Sequence, residues 1–303
     1  MKRRDFITFL GGAAAPAILW PLSARAQTTG KVARIGFLGS ATAVGSATSV
    51  EALRTGLREL GYVEGKNIII EFQWAEGNYE RLPTLVAELI RRNVDILVVH
   101  GTPGTRVAKQ ATTTIPIVVA IVGDALASGI VTSLARPEAN LTGSTYFLTE
   151  LNAKRLELLK AAFPHVARVA ALSNPDNPVS GSIIPAMTTA AAPLKIELEI
   201  AQTQAPTEFD DAFATMAKGH VDAVVVTQDG EYAASFKTIS ALAAGNKLPS
   251  IGSKEYAEAG GLIGYGVNIL GLYRRAAYFV DGILKGAKPA ANSFLLRADQ
   301  VIE

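Results

Sequence analysis

Residues 95–105 read Asp95-Ile96-Leu97-Val98-Val99-His100-Gly101-Thr102-Pro103-Gly104-Thr105, and this stretch decides the fold class. Four apolar residues follow the initial aspartate, three of them β-branched, and predict a strand buried on both faces. Thr102 then offers an N-cap for a helix that continues through Val107, Ala108 and Ala111. Because ligands of open parallel sheets bind outside the carboxyl ends of the strands, residues 100–105 are expected on the rim of a cleft.

A second stretch repeats this pattern 127 residues further on. Asp222-Ala223-Val224-Val225-Val226-Thr227-Gln228-Asp229-Gly230 has the same acidic start, apolar run, polar rim and glycine turn. The segment from Arg34 to Ser40 matches the segment from Arg168 to Asn174 at a similar offset. Landmarks that recur in the same order at nearly one spacing predict two similar lobes.

Predicted strands alternate with predicted helices along the chain, which is typical of α/β proteins with doubly wound parallel sheets. We expect one lobe from residues 32–146 plus 266–288 and a second lobe from residues 147–265, joined by a hinge. Residues 289–303 are expected to form a C-terminal tail. Three finer expectations are a short helix over 129–134, a first crossing over 147–150 and a strand over 261–265.

The composition indicates a globular protein without a polyanion-binding surface. Apolar residues make up 49% of the 303 residues, which is enough for full hydrophobic cores. The formal net charge is +2, and it becomes −1 when residues 1–26 are set aside. The remaining basic residues are scattered singly or in pairs, so nucleic acid is not an expected partner. The chain has no cysteine, which excludes disulfides, thiolate metal sites and cysteine nucleophiles.

Residues 1–26 have the features of an export signal. A basic start with adjacent arginines precedes a moderately apolar run over 6–22, and Ala24-Arg25-Ala26 places small residues where a signal peptidase reads them. The sequence Arg3-Arg4-Asp5-Phe6-Ile7 resembles a twin-arginine (Tat) signal, which exports folded proteins. The apolar run is shorter than the ~20 residues of a membrane span. We therefore expect cleavage, a periplasmic location and no stable membrane insertion afterwards.

Sequence motifs for catalysis are scarce. Among the histidines, His100 alone lies at the carboxyl end of a predicted strand, so an exported α/β enzyme would depend on it. Gly252-Ser253 lacks the pattern around a nucleophile elbow, and the glycines of 39–45 and 261–266 do not match nucleotide-binding loops. Carboxylates are not clustered with histidines at metal-ligand spacing. We predict no catalytic residues, no metal and no cofactor.

Polar side chains collect instead on the loops that leave the predicted strands. Hydroxyls and amides at helix N-termini, where backbone N–H groups are unpaired, suit a carboxylate or another anionic group. Asp124 or Asp229 is placed to face an ammonium group, and Tyr146 or Tyr232 to stack on a planar group. Helix capping or turn chemistry also explains each residue singly, but a rim without a nucleophile favours reversible capture over turnover. The candidate ligand-binding residues are Ser40, Thr42, Thr102, Asp124, Tyr146, Asn174, Asp176, Asp229, Tyr232 and Ser253, with Thr105, Thr145 and Glu255 on the same rim.

Several stretches also carry a family resemblance along the whole chain. They are Leu60-Gly61-Tyr62-Val63-Glu64-Gly65-Lys66-Asn67, Trp74-Ala75-Glu76-Gly77, Thr112-Thr113-Thr114-Ile115-Pro116-Ile117-Val118, Lys154-Arg155-Leu156-Glu157-Leu158-Leu159 and Arg297-Ala298-Asp299-Gln300-Val301-Ile302-Glu303. On these residues the chain resembles ABC transporter substrate-binding proteins of the tryptophan/tyrosine-binding type, which have a type I periplasmic binding protein fold. The resemblance implies capture of a small organic solute, an amino acid or an aromatic compound, and its delivery to an ABC permease and ATPase. A binding protein that serves a sensor, and an exported enzyme that uses His100, are the alternatives left open.

One segment departs from this family. Relatives carry additional residues between the equivalents of Lys288-Pro289-Ala290 and Leu295-Leu296-Arg297, where this chain has only residues 291–294. The additional residues resemble a third crossing between lobes together with a strand and a helix. The shorter segment predicts two crossings instead of three, with either a looser hinge or a damaged second lobe.

Overall fold

A computed structural model describes residues 32–137 and 140–289, and the backbone of residues 295–296. The predicted export signal over residues 1–26 lies outside this part of the chain. In the described residues the elements follow in the order β1 (Ala33–Gly39), α1 (Ala47–Glu59), β2 (Ile68–Trp74), α2 (Leu82–Arg91), β3 (Ile96–His100), α3 (Gly101–Ala111), β4 (Ile117–Gly123), β5 (Leu141–Tyr146), α4 (Leu148–Ala162), β6 (Arg168–Ser173), α5 (Ser180–Ala191), β7 (Glu197–Gln202), α6 (Phe209–Lys218), β8 (Ala223–Val226), α7 (Gly230–Gly245), β9 (Ser250–Gly252), α8 (Lys254–Glu258), β10 (Ile263–Gly264), α9 (Ile269–Leu284) and β11 (Leu295–Leu296). Short 3₁₀ turns precede α2, at Tyr79–Arg81, and α6, at Pro206–Glu208.

The strands form two parallel sheets that share one internal order. The first sheet runs β2-β1-β3-β4-β5, with β11 added beside β5, and the second runs β7-β6-β8-β9-β10. In each sheet the order reverses next to the first strand, which is the switch point where doubly wound sheets bind ligands. Because β3 and β8 occupy equivalent positions, the repeat predicted from residues 95–105 and 222–230 is confirmed.

Helices cover both faces of each sheet, as the predicted α/β fold class requires. In the first sheet α2 and α3 cover one face, while α1 and α9 pack together on the other. In the second sheet α4 and α5 cover one face, and α6 and α7 cover the other. The apolar run Ile96–Val99 is buried on both sides for this reason. We call the first sheet with its helices lobe 1, and the second sheet with its helices lobe 2.

The chain passes from lobe 1 to lobe 2 after β5 and returns after β10, because α9 packs against α1 and β4. The crossing expected over 147–150 is shorter, since α4 already begins at Leu148. Burial of the Leu148 side chain holds this first turn in place, and Glu150 complements the positive end of the helix dipole there. The strand expected over 261–265 is limited to the two residues of β10.

The short helix predicted over 129–134 is wrong. After β4 the chain folds into successive turns, in which the N–H of Ser128 bonds the carbonyl of Asp124 and the N–H of Ile130 bonds the carbonyl of Ala125. Gly129 has φ of +68°, a left-handed conformation that ends the turns before a helix forms. Ile130 is then buried in the lobe 1 core as part of a loop.

The segment where we expected only a tail contributes a strand to lobe 1. Leu295 and Leu296 pair in parallel with Ser144 and Thr145 of β5. The sixth strand therefore covers the edge of the first sheet that β5 would otherwise leave open. Two residues were too short a run to be predicted as a strand from their pattern.

Candidate ligand-binding site

A cavity of about 360 Å³ lies between the two lobes, at the carboxyl ends of their strands. Lobe 1 contributes the start of α1 and the ends of β3, β4 and β5, and lobe 2 contributes residues 228–230 with the faces of α7 and α8. Apolar side chains such as Ile121, Leu148 and Phe236 line much of the wall. A mainly apolar cavity with a few polar groups, within the usual range of about 300–1,000 Å³, is typical of a small-molecule site.

The N-terminus of α3 opens into this cavity. His100 occupies the N-cap position with extended backbone and makes no side-chain cap, and Gly101 and Thr102 also line the cavity. Thr102 is therefore inside the first turn of the helix, and the N-cap role expected for it is wrong. Gly101 has φ of +76°, which allows the sharp turn from strand to helix. The uncapped backbone N–H groups and the helix dipole favour an anionic group at this point.

His100 is held at the cavity wall by a neighbour from α9. Its Nδ1 is hydrogen-bonded to the hydroxyl of Tyr273. Burial lowers the pKa of His100 from 6.5 to about 4, and the carboxylate of Asp229 opposes this shift only partly. At neutral pH the ring is uncharged and already engaged with a tyrosine hydroxyl.

Asp229 links the two lobes by hydrogen bonds. It lies at the N-cap of α7 in lobe 2, where its Oδ1 accepts from the N–H of Glu231 at 2.9 Å. Its Oδ2 accepts from Asn177 Nδ2 at 2.8 Å and from the hydroxyl of Tyr79, in lobe 1, at 2.6 Å. Burial, followed by the charge and hydrogen bond of Asp229, raises the pKa of Tyr79 well above its ordinary value, so the hydroxyl stays protonated and donates. The lobes are thus in direct contact beside the cavity.

A close backbone approach at the start of α1 is a second contact between the lobes. A Cβ placed on Gly45 would lie 2.3 Å from the Cβ of Ala234 on α7. Carbon atoms that are not bonded to each other do not approach so closely, so this arrangement of the lobes requires glycine at position 45. Both residues line the cavity, which is therefore bounded on this side by the turn before α1 and by α7.

A buried arginine lies behind the part of the cavity wall that lobe 2 forms. Arg155 of α4 is fully buried and donates to the carbonyls of Tyr265 and Val226, to Asn152 Oδ1 and to Gln228 Oε1. All four acceptors are neutral oxygens, and burial lowers the pKa of Arg155 to about 10. The guanidinium can only donate, so it fixes the Gln228 amide with its oxygen toward Arg155. Gln228 itself lines the cavity.

Three of the predicted ligand-binding residues line the cavity, namely Thr102, Tyr146 and Asp229. Tyr146 ends β5 with its ring buried, and this burial raises the pKa of its hydroxyl, which remains protonated. Glu255, which we placed on the same rim, also lines the cavity. The structure brings these four residues together from both lobes.

The other predicted residues lie outside the cavity lining, in local structural contacts. Ser40 Oγ donates to the carbonyl of His100, and the remaining side chains accept backbone N–H groups in turns or caps or belong to the lobe 2 core. Four of these side chains accept a backbone N–H group, namely Thr42 from Gly45, Asp124 from Ala127, Asn174 from Asp176 and Ser253 from Tyr256. Tyr232 belongs to the lobe 2 core, where its hydroxyl is hydrogen-bonded to that of Thr203. Asp176 lies on a separate hollow between the lobes, where its Oδ1 accepts from Gln204. Thr105 and Thr145 bond backbone carbonyls of their own lobe.

Four residues of the site were not predicted, namely Tyr79, Arg155, Asn177 and Gln228. Asn177 follows the predicted residue Asp176 and Gln228 precedes the predicted residue Asp229, so their position after a strand was the available signal. Tyr79 belongs to a 3₁₀ turn away from the strand ends, and Arg155 lies within a helix. Nothing in their local sequence distinguishes them from surface residues.

Two similar lobes that close on a mainly apolar cavity define a two-lobe α/β binding protein. A family profile described as ABC transporter substrate binding protein matches residues 43–299, and the chain belongs to this family. It is accordingly a substrate-binding protein and not an enzyme, as its sequence predicted. Proteins of this family typically act outside the cytoplasm.

Individual relatives agree with this assignment. The tyrosine-binding protein of Clostridioides difficile (strain R20291) is 26% identical over 231 residues, which cover 76% of this chain and 66% of that protein. The ABC domain from Streptococcus pneumoniae, solved in complex with L-Trp, is 25% identical with a TM-score of 0.76, and the match covers 87% of this chain and 89% of that one. A conserved domain protein from Vibrio cholerae O1 biovar El Tor is also 25% identical, with a TM-score of 0.81 and coverage of 88% and 90%.

The described residues contain neither a candidate membrane span nor a candidate metal site. No helix there has the length and apolar character needed to cross a bilayer. The same residues contain no group of three or more histidine, aspartate or glutamate side chains placed to hold a metal ion.

Proposed function

We propose that the protein captures a small organic solute, an amino acid or an aromatic compound, between its two lobes and delivers it to the permease of an ABC importer, which a cytoplasmic ATPase drives. The observation that carries the proposal is the cavity between the lobes, which is bounded by the end of β3 in lobe 1 and by Asp229 in lobe 2. The hydrogen bond from Tyr79 to Asp229 supports a site that closes by movement of one lobe onto the other.

The cavity offers contacts for the two parts of such a solute. The uncapped start of α3, with the hydroxyl of Thr102, suits a carboxylate. The ring of Tyr146 and the apolar side chains of Leu148 and Phe236 suit a planar or apolar body. We propose Thr102, Tyr146 and Asp229 as site residues, with Asp229 acting on the closed state through its bond to Tyr79.

Hinge closure sets the free energy that the solute must supply. To move the lobes from 1% to 99% closed, the solute must favour the closed state by about 5.5 kcal/mol. Several charge-assisted hydrogen bonds at about 1.5–3 kcal/mol each, together with burial of an aromatic ring, reach this magnitude.

A thermal-shift screen of the purified protein against amino acids, aromatic acids and sugars tests the proposal. A solute that binds the folded protein raises its melting temperature by mass action, and at a concentration of about 100 times Kd it adds about 2.7 kcal/mol to the free energy of unfolding. We expect a shift with an amino acid or an aromatic acid and none with sugars. A shift with sugars alone would contradict the proposed solute class.

We further propose that residues 1–26 export the folded protein to the periplasm by the twin-arginine route. The adjacent arginines at positions 3 and 4 support this route. The test is the location of the full chain and of a variant with Arg3→Lys and Arg4→Lys in fractionated cells. Wild-type protein is expected in the periplasm and the variant in the cytoplasm, and equal export of both would contradict the twin-arginine route.

We make two further proposals, one about which residues move together as lobes and one about the short C-terminal segment. We propose that residues 32–146 plus 266–288 move against residues 147–265, and that the shortened tail over 289–303 loosens the hinge. Urea unfolding and solute binding of this chain are to be compared with a version in which the family's additional segment is restored. The restored version is expected to be more stable or to bind more tightly, and equal values for both would contradict the role of the tail.

A further inference from the structure

Three carboxylates line the cavity, and they differ in the number of hydrogen bonds and ion pairs that they already make. Asp229 accepts three hydrogen bonds from Tyr79, Asn177 and the N–H of Glu231. Glu258 is exposed and lies 3.5 Å from the ammonium of Lys254. Asp229, which we expected to face an ammonium group, therefore has little remaining capacity to accept one.

Glu255 is the cavity carboxylate that can still accept hydrogen bonds. It lies in the first turn of α8, and its Oε1 accepts only a long bond of 3.4 Å from the N–H of Ile269 at the start of α9. Its Oε2 is buried and has no hydrogen-bond partner among the described residues. A buried acceptor without a donor is costly, so a donor supplied from the cavity stabilises this arrangement.

Glu255 lies near two further polar groups, and neither of them hydrogen-bonds its Oε2. The buried guanidinium of Arg155 and the ring hydroxyl of Tyr146 interact with this carboxylate electrostatically. Arg155 is bonded to neutral oxygens and holds Gln228, whose Nε2 is likewise buried without a partner in the described part of the chain. One wall of the cavity thus presents both an unpaired anionic acceptor and an unpaired donor, which matches a ligand with an ammonium and a carboxylate.

We propose that Glu255 binds the ammonium group of an α-amino acid through Oε2 and thereby selects amino acids over acids that lack this group. The inference rests on the proposed capture of a solute in this cavity. Arg155 is a positioning residue, because it acts on the ligand through Gln228, whose amide oxygen it holds. The fit to an ammonium distinguishes this wall from the α3 N-terminus, which suits any carboxylate.

Calorimetric titration with matched ligands tests the proposal. The probes are L-tryptophan and L-tyrosine, each beside the analogue in which hydrogen replaces the α-ammonium group. The full chain is compared with Glu255→Gln and with Glu157→Gln, a matched change at an exposed helical glutamate outside the cavity lining, which pairs with Lys154. Since a hydrogen bond to a charged group contributes about 1.5–3 kcal/mol, the wild-type protein is expected to bind at least one of the amino acids about tenfold to hundredfold more tightly than its analogue.

The expected result is that Glu255→Gln removes this preference by lowering the affinity for the amino acid and not for its analogue, while Glu157→Gln keeps it. Equal wild-type affinity for an amino acid and its analogue would overturn the inference but leave solute capture standing, and this comparison requires no variant to fold. An undiminished preference in Glu255→Gln would overturn it equally. If none of the four compounds bound, the inference would fail, and the broader solute screen would decide the proposed function.

Discussion

Tyr79 and Asp229 form the hydrogen bond that most directly joins the lobes, at 2.6 Å. Replacing Tyr79 by Phe keeps the ring and removes the donor. A hydrogen bond to a charged group contributes about 1.5–3 kcal/mol, so we expect solute affinity to fall about tenfold to hundredfold. The free energy of unfolding without solute should change little, because we propose that the solute-free protein is open and does not form this bond.

The matched control for that change lies within one lobe. The hydroxyl of Tyr62 donates to Asp281 Oδ1 at 2.9 Å, and both residues belong to lobe 1. Tyr62→Phe should lower the free energy of unfolding by about 1 kcal/mol and leave solute affinity unchanged. Urea unfolding and calorimetric titration measure the two quantities, and loss of affinity in Tyr62→Phe alone would show that the bond at Asp229 does not control closure.

The buried imidazole of His100 predicts a pH dependence of stability. Its pKa is lowered from 6.5 to about 4 in the folded protein, where Tyr273 and Asp229 face it. Because the unfolded chain takes up the proton first as pH falls, this contribution is complete above pH 6.5 and is lost as pH falls toward 4. Between pH 7 and pH 4.5, wild-type protein should lose about 2–3 kcal/mol more of its free energy of unfolding than His100→Asn.

Urea unfolding at the two pH values measures this difference. His165→Asn, a change at an exposed histidine, is the control and should follow the wild-type protein. A wild-type pH dependence identical to that of His100→Asn would mean that His100 is not the neutral, buried group described above.

The side chains of the site were predictable only in part, for a physical reason. Thr102, Tyr146 and Asp229 were placed on the rim by their position after a strand, and the fold brings them to one cavity. The same rule also selected Asn174 and Ser253, whose side chains serve local turns and caps. Position along a strand predicts the edge of the sheet, but the rotamer and the competing backbone partners decide which side chains reach the cavity.

At the scale of elements, the contact between the turn before α1 and the helix α7 makes a separate prediction. In Gly45→Ala the new Cβ would lie 2.3 Å from that of Ala234, so the turn and the helix cannot meet as they do here. We expect solute affinity to fall about tenfold or more, with little change in the stability of either lobe, because overpacking costs about 1–3 kcal/mol and acts only on the closed form.

Gly181→Ala is the matched control, since a Cβ at that helical position has no atom within 4 Å. It should leave solute affinity unchanged. Calorimetric titration of both variants decides the point, and unaltered binding by Gly45→Ala would contradict closure through the contact between Gly45 and α7.

Strands and helices with strong periodicity were predicted nearly to the residue. The strand over Ile96–His100 and the helix α3 that follows it illustrate this, because their apolar residues face fixed layers of the core. The errors fell where tertiary contacts override the local pattern. The helix expected over 129–134 is replaced by turns at Gly129, and the two residues of β11 form a strand only because β5 offers an edge.

At the scale of the whole molecule, two similar lobes face each other through the carboxyl ends of their strands. The sequence repeat between β3 and β8 predicted this arrangement, because equivalent strands place equivalent rims at the gap. Contacts between the lobes, such as the bond from Tyr79 to Asp229, depend on how the lobes meet and were not predictable from either rim alone.

The most direct test is a crystal structure of the protein with the solute that gives the largest thermal shift. We predict that the solute occupies the cavity of about 360 Å³, with its carboxylate at the start of α3 and its remaining polar group against the wall of lobe 2. A solute bound on the outside of either lobe, or lobes that stay apart when it is bound, would contradict capture between the two lobes.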